Sequence, residues 1–322
     1  MRPRVLILSP ALADANNGNW HTASRWQRFL ADRADTRIER EWDGQPVDAL
    51  VALHARRSAA SVARFAAAHP GRPLAVVLTG TDLYRDLPMG DTGALHSLQC
   101  ASHLVVLQEL ALQRLNAPAR AKARVILQSA PRLVRSRPDA GPCELIAVGH
   151  LRPEKDPLTL MAAVRLLPES AHVQVTHVGD ALDPALGDAA RRTMAECPRY
   201  RWLGALPPDV TRERVAGAHA LVHMSRIEGG ANAVIEALRS DVPVLASRID
   251  GNVGLLGEDY EGTFAPGDAE ALAALVQRFA ADAAFARRLA AQCAAVAPRY
   301  DPAAEAAAVR ALLDGMLDVP RS

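Results

Sequence analysis

Residues 5–8 form a short apolar run closed by the polar turn Ser9-Pro10, the pattern of a fully buried strand in a parallel sheet. The turn Asn16-Asn17-Gly18-Asn19 leads into a helical pattern over about 20–30. The alternation repeats, with a strand at 49–53, a helix at 58–68 and strands at 74–78, 103–107 and 124–127. Strands alternating with helices of about ten residues predict a doubly wound α/β domain.

The segment 131–142 is rich in proline and arginine and poor in apolar residues, so it reads as a linker. The pattern then restarts. Strands are predicted at 145–148, 173–178, 200–203, 220–224 and 242–246, with helices at 157–167, 184–195, 210–218 and 231–239. The expected organisation is an N-terminal Rossmann-like domain over 1–130, the linker, and a second over 143–322, facing each other across a cleft. Ligand chemistry then belongs in the loops that follow strands. The alanine-rich tail from Ala269 reads as helical, broken at Pro298 and Pro302, with its final helix free to pack back on the N-terminal domain.

Composition narrows the function classes. The 37 basic and 36 acidic residues leave a formal net charge of +1, so no global field favours nucleic acid or an anionic membrane. Cys100, Cys143, Cys197 and Cys293 are far apart and form neither a CxxC pair nor a zinc cluster. The apolar start is too short for a signal-peptide core and no later run suits a membrane span, so a cytoplasmic location is expected.

Four loops carry candidate chemistry. Glu228 follows a strand, Gly229-Gly230 make a turn, and Glu236 lies in the next helix, with Ala231 and Asn232 at its start. Backbone amides there suit a phosphate oxygen, and carboxylates accept sugar or ribose hydroxyls; a solvated helix with ordinary surface acids gives the same spacing. Gly149-His150-Leu151-Arg152-Pro153-Glu154-Lys155 also follows a strand, and Arg152 and Lys155 bracket a turn suited to a diphosphate. Lys155 is one of only two lysines, with Lys122. Asn16-Asn17-Gly18-Asn19 lacks the GxGxxG spacing of a dinucleotide fingerprint, which weakens a dehydrogenase reading, and a plain strand-to-helix turn explains it equally. Thr79-Gly80-Thr81-Asp82 reads either as an anion- or sugar-orienting loop or as an Asx-capped turn. His54 follows the strand that ends at Leu53, just ahead of Arg56 and Arg57, which favour its neutral form, whereas His103, His219 and His223 read as packed strand residues.

Glu228 and Glu236 with the loop GHLRPEKDPLTL at 149–160 resemble the acidic and diphosphate-binding motifs of retaining family 4 glycosyltransferases, which have the two-domain GT-B fold. Within that family, the strings GNWHTASRW at 18–26, ALHARRSAAS at 52–61, LTGTDLYRDLP at 78–88 and SRIEGGANAVIEA at 225–237 resemble the selenosugar synthases of selenoneine biosynthesis. That resemblance implies transfer of N-acetylglucosamine from UDP-N-acetylglucosamine to selenophosphate, with release of UDP and phosphate. It also implies functional links to enzymes that make selenophosphate and use selenosugars. A tightly bound cofactor and a metal are not expected.

Carried over by position, Glu236 meets the ribose, Glu228 the donor hydroxyls, and Lys155 the diphosphate. His150 stands where the family has arginine, Ala231 replaces a second glycine, and Asp241 replaces a glycine before Pro243-Val244. Lys155, Arg152, Glu228 and His54 are the expected catalytic residues. Gly18, Asn19, His150, Gly229, Gly230, Ala231, Asn232 and Glu236 join Arg152, Lys155 and Glu228 around the donor. His21, Arg25, Arg56, Thr81, Asp82, Gln128 and Ser129 are expected on the acceptor side. Two other readings remain: transfer to a small hydroxyl or thiol acceptor, and a non-catalytic nucleotide-sugar-binding protein on the same scaffold.

Overall fold

The computed structural model describes residues 2–12, 18–134 and 141–318, and divides into two compact units. The first comprises Met1–Gln128 and Pro302–Ser322, the second Ser129–Asp301. The division therefore falls ahead of the expected linker, whose residues 135–140, like Asn16 and Asn17, lie outside the described residues.

The first unit contains β1 (Arg4–Leu8), α1 (Gly18–Leu30), β2 (Asp35–Glu39), β3 (Ala49–Leu53), α2 (Ala59–Ala68), β4 (Leu74–Val77), α3 (Thr92–Cys100), β5 (His103–Val106), α4 (Ala117–Ala121) and β6 (Ala123–Val125). Its parallel sheet has the order β2-β1-β3-β4-β5-β6. Alternate residues of one strand serve opposite faces, which explains two separate cores. Leu6, Leu8, Leu50, Ala52, Val76 and Leu104 pack with Val62, Phe65, Ala94 and Leu98 on one face. Val5, Ile7, Val51, Leu53, Val77 and Val105 pack with Trp26, Leu30, Val309, Leu312, Leu313 and Met316 on the other.

The second unit contains β7 (Cys143–Val148), α5 (Pro157–Leu166), β8 (Val173–Val178), α6 (Pro184–Glu196), β9 (Tyr200–Trp202), α7 (Pro208–Gly217), β10 (Ala220–His223), α8 (Asn232–Leu238), β11 (Val244–Ser247), α9 (Asp250–Leu256), β12 (Thr263–Phe264), α10 (Ala269–Ala281) and α11 (Ala283–Val296). The chain then returns to the first unit as α12 (Pro302–Leu317). The second sheet, also parallel, runs β12-β11-β10-β7-β8-β9.

Two ion pairs secure α12, a surface one between Arg310 and Asp32 at 3.0 Å and a buried one at Glu305. Glu305 is buried, and its Oε2 accepts from Arg25 Nε at 2.7 Å while Oε1 accepts from Trp26 Nε1 at 2.8 Å. Among the described residues, no helix is long and apolar enough to cross a membrane.

Candidate functional site

In the second sheet, connections leave β7 toward β8 and β9 on one side, while β10, β11 and β12 lie on the other. The order therefore reverses between the neighbours β7 and β10, the place where open α/β sheets bind ligands beyond their strand ends. The loops leaving these two strands carry Lys155 and Glu228.

The first loop is shaped by close backbone approach. A Cβ on Gly179, where φ is +151°, would meet Gly149 O at 2.0 Å, so only glycine lets the β8 end cross this loop. Lys155 closes a short 3₁₀ turn, Pro153–Lys155, and its alkyl stem runs beside Gly149. Asp156 adopts φ +48° and accepts from Thr159 Oγ1 at 2.7 Å, which fixes the start of α5. Behind the loop, buried His177 is pushed down to about 4 by burial, with a hydrogen bond to the Gly149 backbone acting the other way. Its Nδ1 lies 2.9 Å from Tyr200 Oη.

Three bonds join this loop to the one after β10. Lys155 Nζ donates to Glu228 Oε1 at 2.5 Å, Arg226 Nε donates to Asp156 Oδ2 at 2.9 Å, and the Arg226 amide donates to Glu154 O at 2.9 Å. Burial works against the charge on Glu228, but Lys155 and His223 outweigh it and hold the carboxyl well below the ordinary range. His223 Nε2 lies 3.3 Å from the same Oε1. Gly251, at the start of α9, leaves the Glu228 backbone its place: a Cβ there would meet Glu228 O at 2.4 Å.

The other expected donor residues fall nearby in sequence with distinct surroundings. Gly229, Gly230 and Ala231 lead into α8, which begins at Asn232 and carries half-buried Glu236. Arg152 is half-buried and its Nε is buried without a hydrogen-bond partner among the described residues. His150 Nδ1 accepts from the Asp180 amide at 3.0 Å. Asp241, the replacement for a family glycine, sits at φ +56° and accepts from Arg132 at 2.8 Å, which accounts for why glycine suits that turn.

In the first sheet the order reverses between β1 and β3. His54 follows β3 at φ +69°, is buried, and contacts Asp82 Oδ1 through Nδ1 at 2.7 Å and Thr81 Oγ1 through Nε2 at 3.0 Å. Asp82 is itself buried. It accepts from the amides of Ala55, Arg56 and Thr79 and from Thr79 Oγ1. Burial opposes its charge, but His54 and these amides prevail and lower its pKa. The Asx-capped turn expected at Asp82 is not what forms: its carboxylate accepts from Thr79, three residues before it, and from the amides of Ala55 and Arg56, so the side chain braces the His54 loop from inside.

Arg56 Nε donates to Asp86 Oδ2 at 2.9 Å, and Arg85 Nε to Asp86 Oδ1 at 3.0 Å. The grouping His54, Asp82 and Asp86 brings possible metal ligands within 4.8 Å, but these donors already occupy it, so its chemistry is that of an internal hydrogen-bond cluster. Gly18 and Asn19 form the first turn of α1, where Thr22 Oγ1 donates to Gly18 O. Half-buried His21 is lowered by burial, Arg25 and Arg28. Arg25 is engaged by Glu305; Gln128 is buried and donates to Thr22 Oγ1 at 2.5 Å; buried Ser129 opens the second unit.

Sequence reasoning missed His223 as a partner of Glu228, the Asp156–Arg226 bond, and Gly251. The available signal for His223 was a polar residue ending the apolar run Ala220-Leu221-Val222 five positions before Glu228.

Residues 142–282 match the family model described as "Glycosyl transferases group 1". Among solved structures, the chain resembles HepE from Anabaena in complex with UDP-glucose at 16% identity, covering 98% of this chain and 100% of that one, with a TM-score of 0.78. It resembles sucrose-phosphate synthase from Thermosynechococcus elongatus at 17% identity, 99% and 100% coverage, and a TM-score of 0.79. A glycosyltransferase from Rickettsia africae ESF-5 matches at 14% identity over 99% and 100%, with a TM-score of 0.75. The fold is GT-B, with two Rossmann-like α/β domains.

Proposed function

We propose that the protein is a UDP-sugar-dependent glycosyltransferase that moves a glucose- or N-acetylglucosamine-type sugar onto a small acceptor. The observation that carries this reading is the Lys155–Glu228 pair at the reversal point of the second sheet, inside the segment that matches the glycosyltransferase model. HepE, with the same fold, is described in complex with UDP and with UDP-glucose.

In this mechanism Lys155 turns from Glu228 to the diphosphate, joined by Arg152 and the amides that lead into α8. Glu236 takes the ribose hydroxyls and Glu228 those of the sugar. Cleavage of the C1–O bond places growing negative charge on UDP and positive character on C1, so cations that bind the departing diphosphate most strongly at that moment speed the step. Lys155 and Arg152 supply this charge without a metal ion.

The finer reading is N-acetylglucosamine as sugar and selenophosphate as acceptor. Its support is the sequence resemblance at 18–26, 52–61 and 78–88, whereas the comparisons support the transferase and a small acceptor more broadly. A selenium nucleophile is anionic and soft and requires no general base, whereas a hydroxyl acceptor must lose a proton during transfer.

The test is mass-resolved turnover with UDP-glucose or UDP-N-acetylglucosamine, with and without chelator, against freshly made selenophosphate, thiols and small alcohols under reducing, anaerobic conditions. UDP release matched by a sugar–acceptor product supports the transferase, and a selenium-isotope pattern in that product supports selenophosphate. Binding of the nucleotide sugar without turnover on any acceptor favours a binding protein; absence of binding overturns the reading.

A further inference from the structure

We propose that His223 is a positioning residue of the sugar site, holding the Glu228 carboxylate charged and aimed after Lys155 has turned to a bound diphosphate. This rests on the reading of the site as a UDP-sugar site and adds the group that makes the lysine's departure tolerable.

Lys155 Nζ and His223 Nε2 share one oxygen, Glu228 Oε1, at 2.5 and 3.3 Å. Their mobility differs. Lys155 is a point charge on a flexible stem, rooted in a loop, with a fifth of its side chain exposed. His223 is short, 2% exposed, and fixed by the β10 ladder through its register with Ala246. A diphosphate competes for the lysine. The carboxylate left behind is about nine-tenths buried, where an unpaired charge is strongly disfavoured.

The histidine proton must sit where it is needed. A carboxylate only accepts, so the ring nitrogen facing Oε1 carries the hydrogen and donates from Nε2. Ser225 Oγ lies 3.3 Å from that nitrogen, and Nδ1 is buried without a hydrogen-bond partner among the described residues. With its other nitrogen unbonded, the side chain is retained in an apolar strand by its Nε2 contacts. Glu228 has no retreat either: Gly251 abuts its backbone, and Ser247 Oγ donates to Ser225 O at 2.5 Å while accepting from Asn252 Nδ2 at 3.1 Å. His223 therefore steadies a carboxylate whose backbone is already braced, and frees Lys155 to serve the leaving group.

The test is calorimetric binding of UDP and UDP-glucose to wild type, His223→Leu and His223→Gln, each with Glu228 intact and with Glu228→Gln. His223→Leu is expected to weaken both ligands at least tenfold when Glu228 is intact and no more than twofold beside Glu228→Gln, where no charge needs holding. His223→Gln, which keeps an N–H near the Nε2 position, is expected to restore most of the loss. Equal losses in both backgrounds, or no rescue, overturn the proposal, because a merely structural histidine behaves that way. Should the variants not fold, imidazole nitrogen spectra of the wild type decide: Nε2–H at His223 with and without UDP supports the proposal, and an Nδ1–H tautomer with a bare Nε2 overturns it. A wild type that binds neither ligand removes the UDP-sugar site and the proposal together, whereas a wild type that binds both with unaffected variants removes the proposal alone.

Discussion

At the scale of residues, Lys155 and Glu228 stabilise each other before any ligand arrives. Lys155→Ala leaves the buried carboxylate only its His223 contact and is expected to lower stability by about 2–3 kcal/mol, less than the usual loss for a fully buried pair because the lysine is partly exposed and His223 remains. Adding Glu228→Gln should recover most of that loss in urea unfolding while turnover stays at least 100-fold down. His177 supplies a pH signature. Its folded pKa of about 4 lies below its ordinary 6.5, so the unfolded chain binds more protons between these values and stability falls as pH drops through that window. From pH 7 to 5 its share is about 2 kcal/mol. His21 and His103, also lowered, act in the same direction. Urea midpoints across that range should fall less steeply in His177→Gln by this amount. Glu228 and Lys155 were legible because their residue types and strand-end positions suit sugar and phosphate. His223 was not, because a histidine inside a strand usually means packing, and only geometry reveals which neighbour it bonds.

At the scale of elements, the central strands were legible as unbroken apolar runs, and β3 and β8 fall on their expected limits. The edges were not. β2 has the sequence Asp35-Thr36-Arg37-Ile38-Glu39 and becomes a strand by pairing with β1; β12 is only two residues long. α9 contains Gly251 and Gly254, poor helix formers, and was hidden for that reason. One of them serves the site. Gly251→Ala would drive a Cβ into Glu228 O, and it is expected to cost about 2 kcal/mol and raise the UDP-sugar KM more than it lowers thermal stability alone would explain. The contact of α12 with α1 depends on Glu305. Glu305→Ala leaves the largely buried Arg25 guanidinium unpaired and should lower stability by about 3 kcal/mol in thermal or urea unfolding.

At the scale of the whole molecule, the last helix belongs to the first unit, although about 170 residues of the second unit precede it. Val309, Leu312, Leu313 and Met316 cover one face of the first sheet. Burying four such side chains contributes on the order of 6 kcal/mol or more, comparable to the stability of a typical domain. Removing residues 302–322 should therefore unfold the first unit selectively, seen as rapid proteolysis before Gln128 while a fragment spanning 129–301 persists. The sequence by itself determined the alternation of strands and helices, the two-fold repeat of that pattern, and the loops in which charge and glycine gather. Those depend on local period and residue type, which a linear chain displays. Only the tertiary structure decided which loops become neighbours. Strand order places the β7 and β10 ends side by side although Lys155 and Glu228 are 73 residues apart, and burial then turns an ordinary ion pair into a poised one. Such partnerships arise from sheet pairing and desolvation, and no local pattern in the chain encodes either.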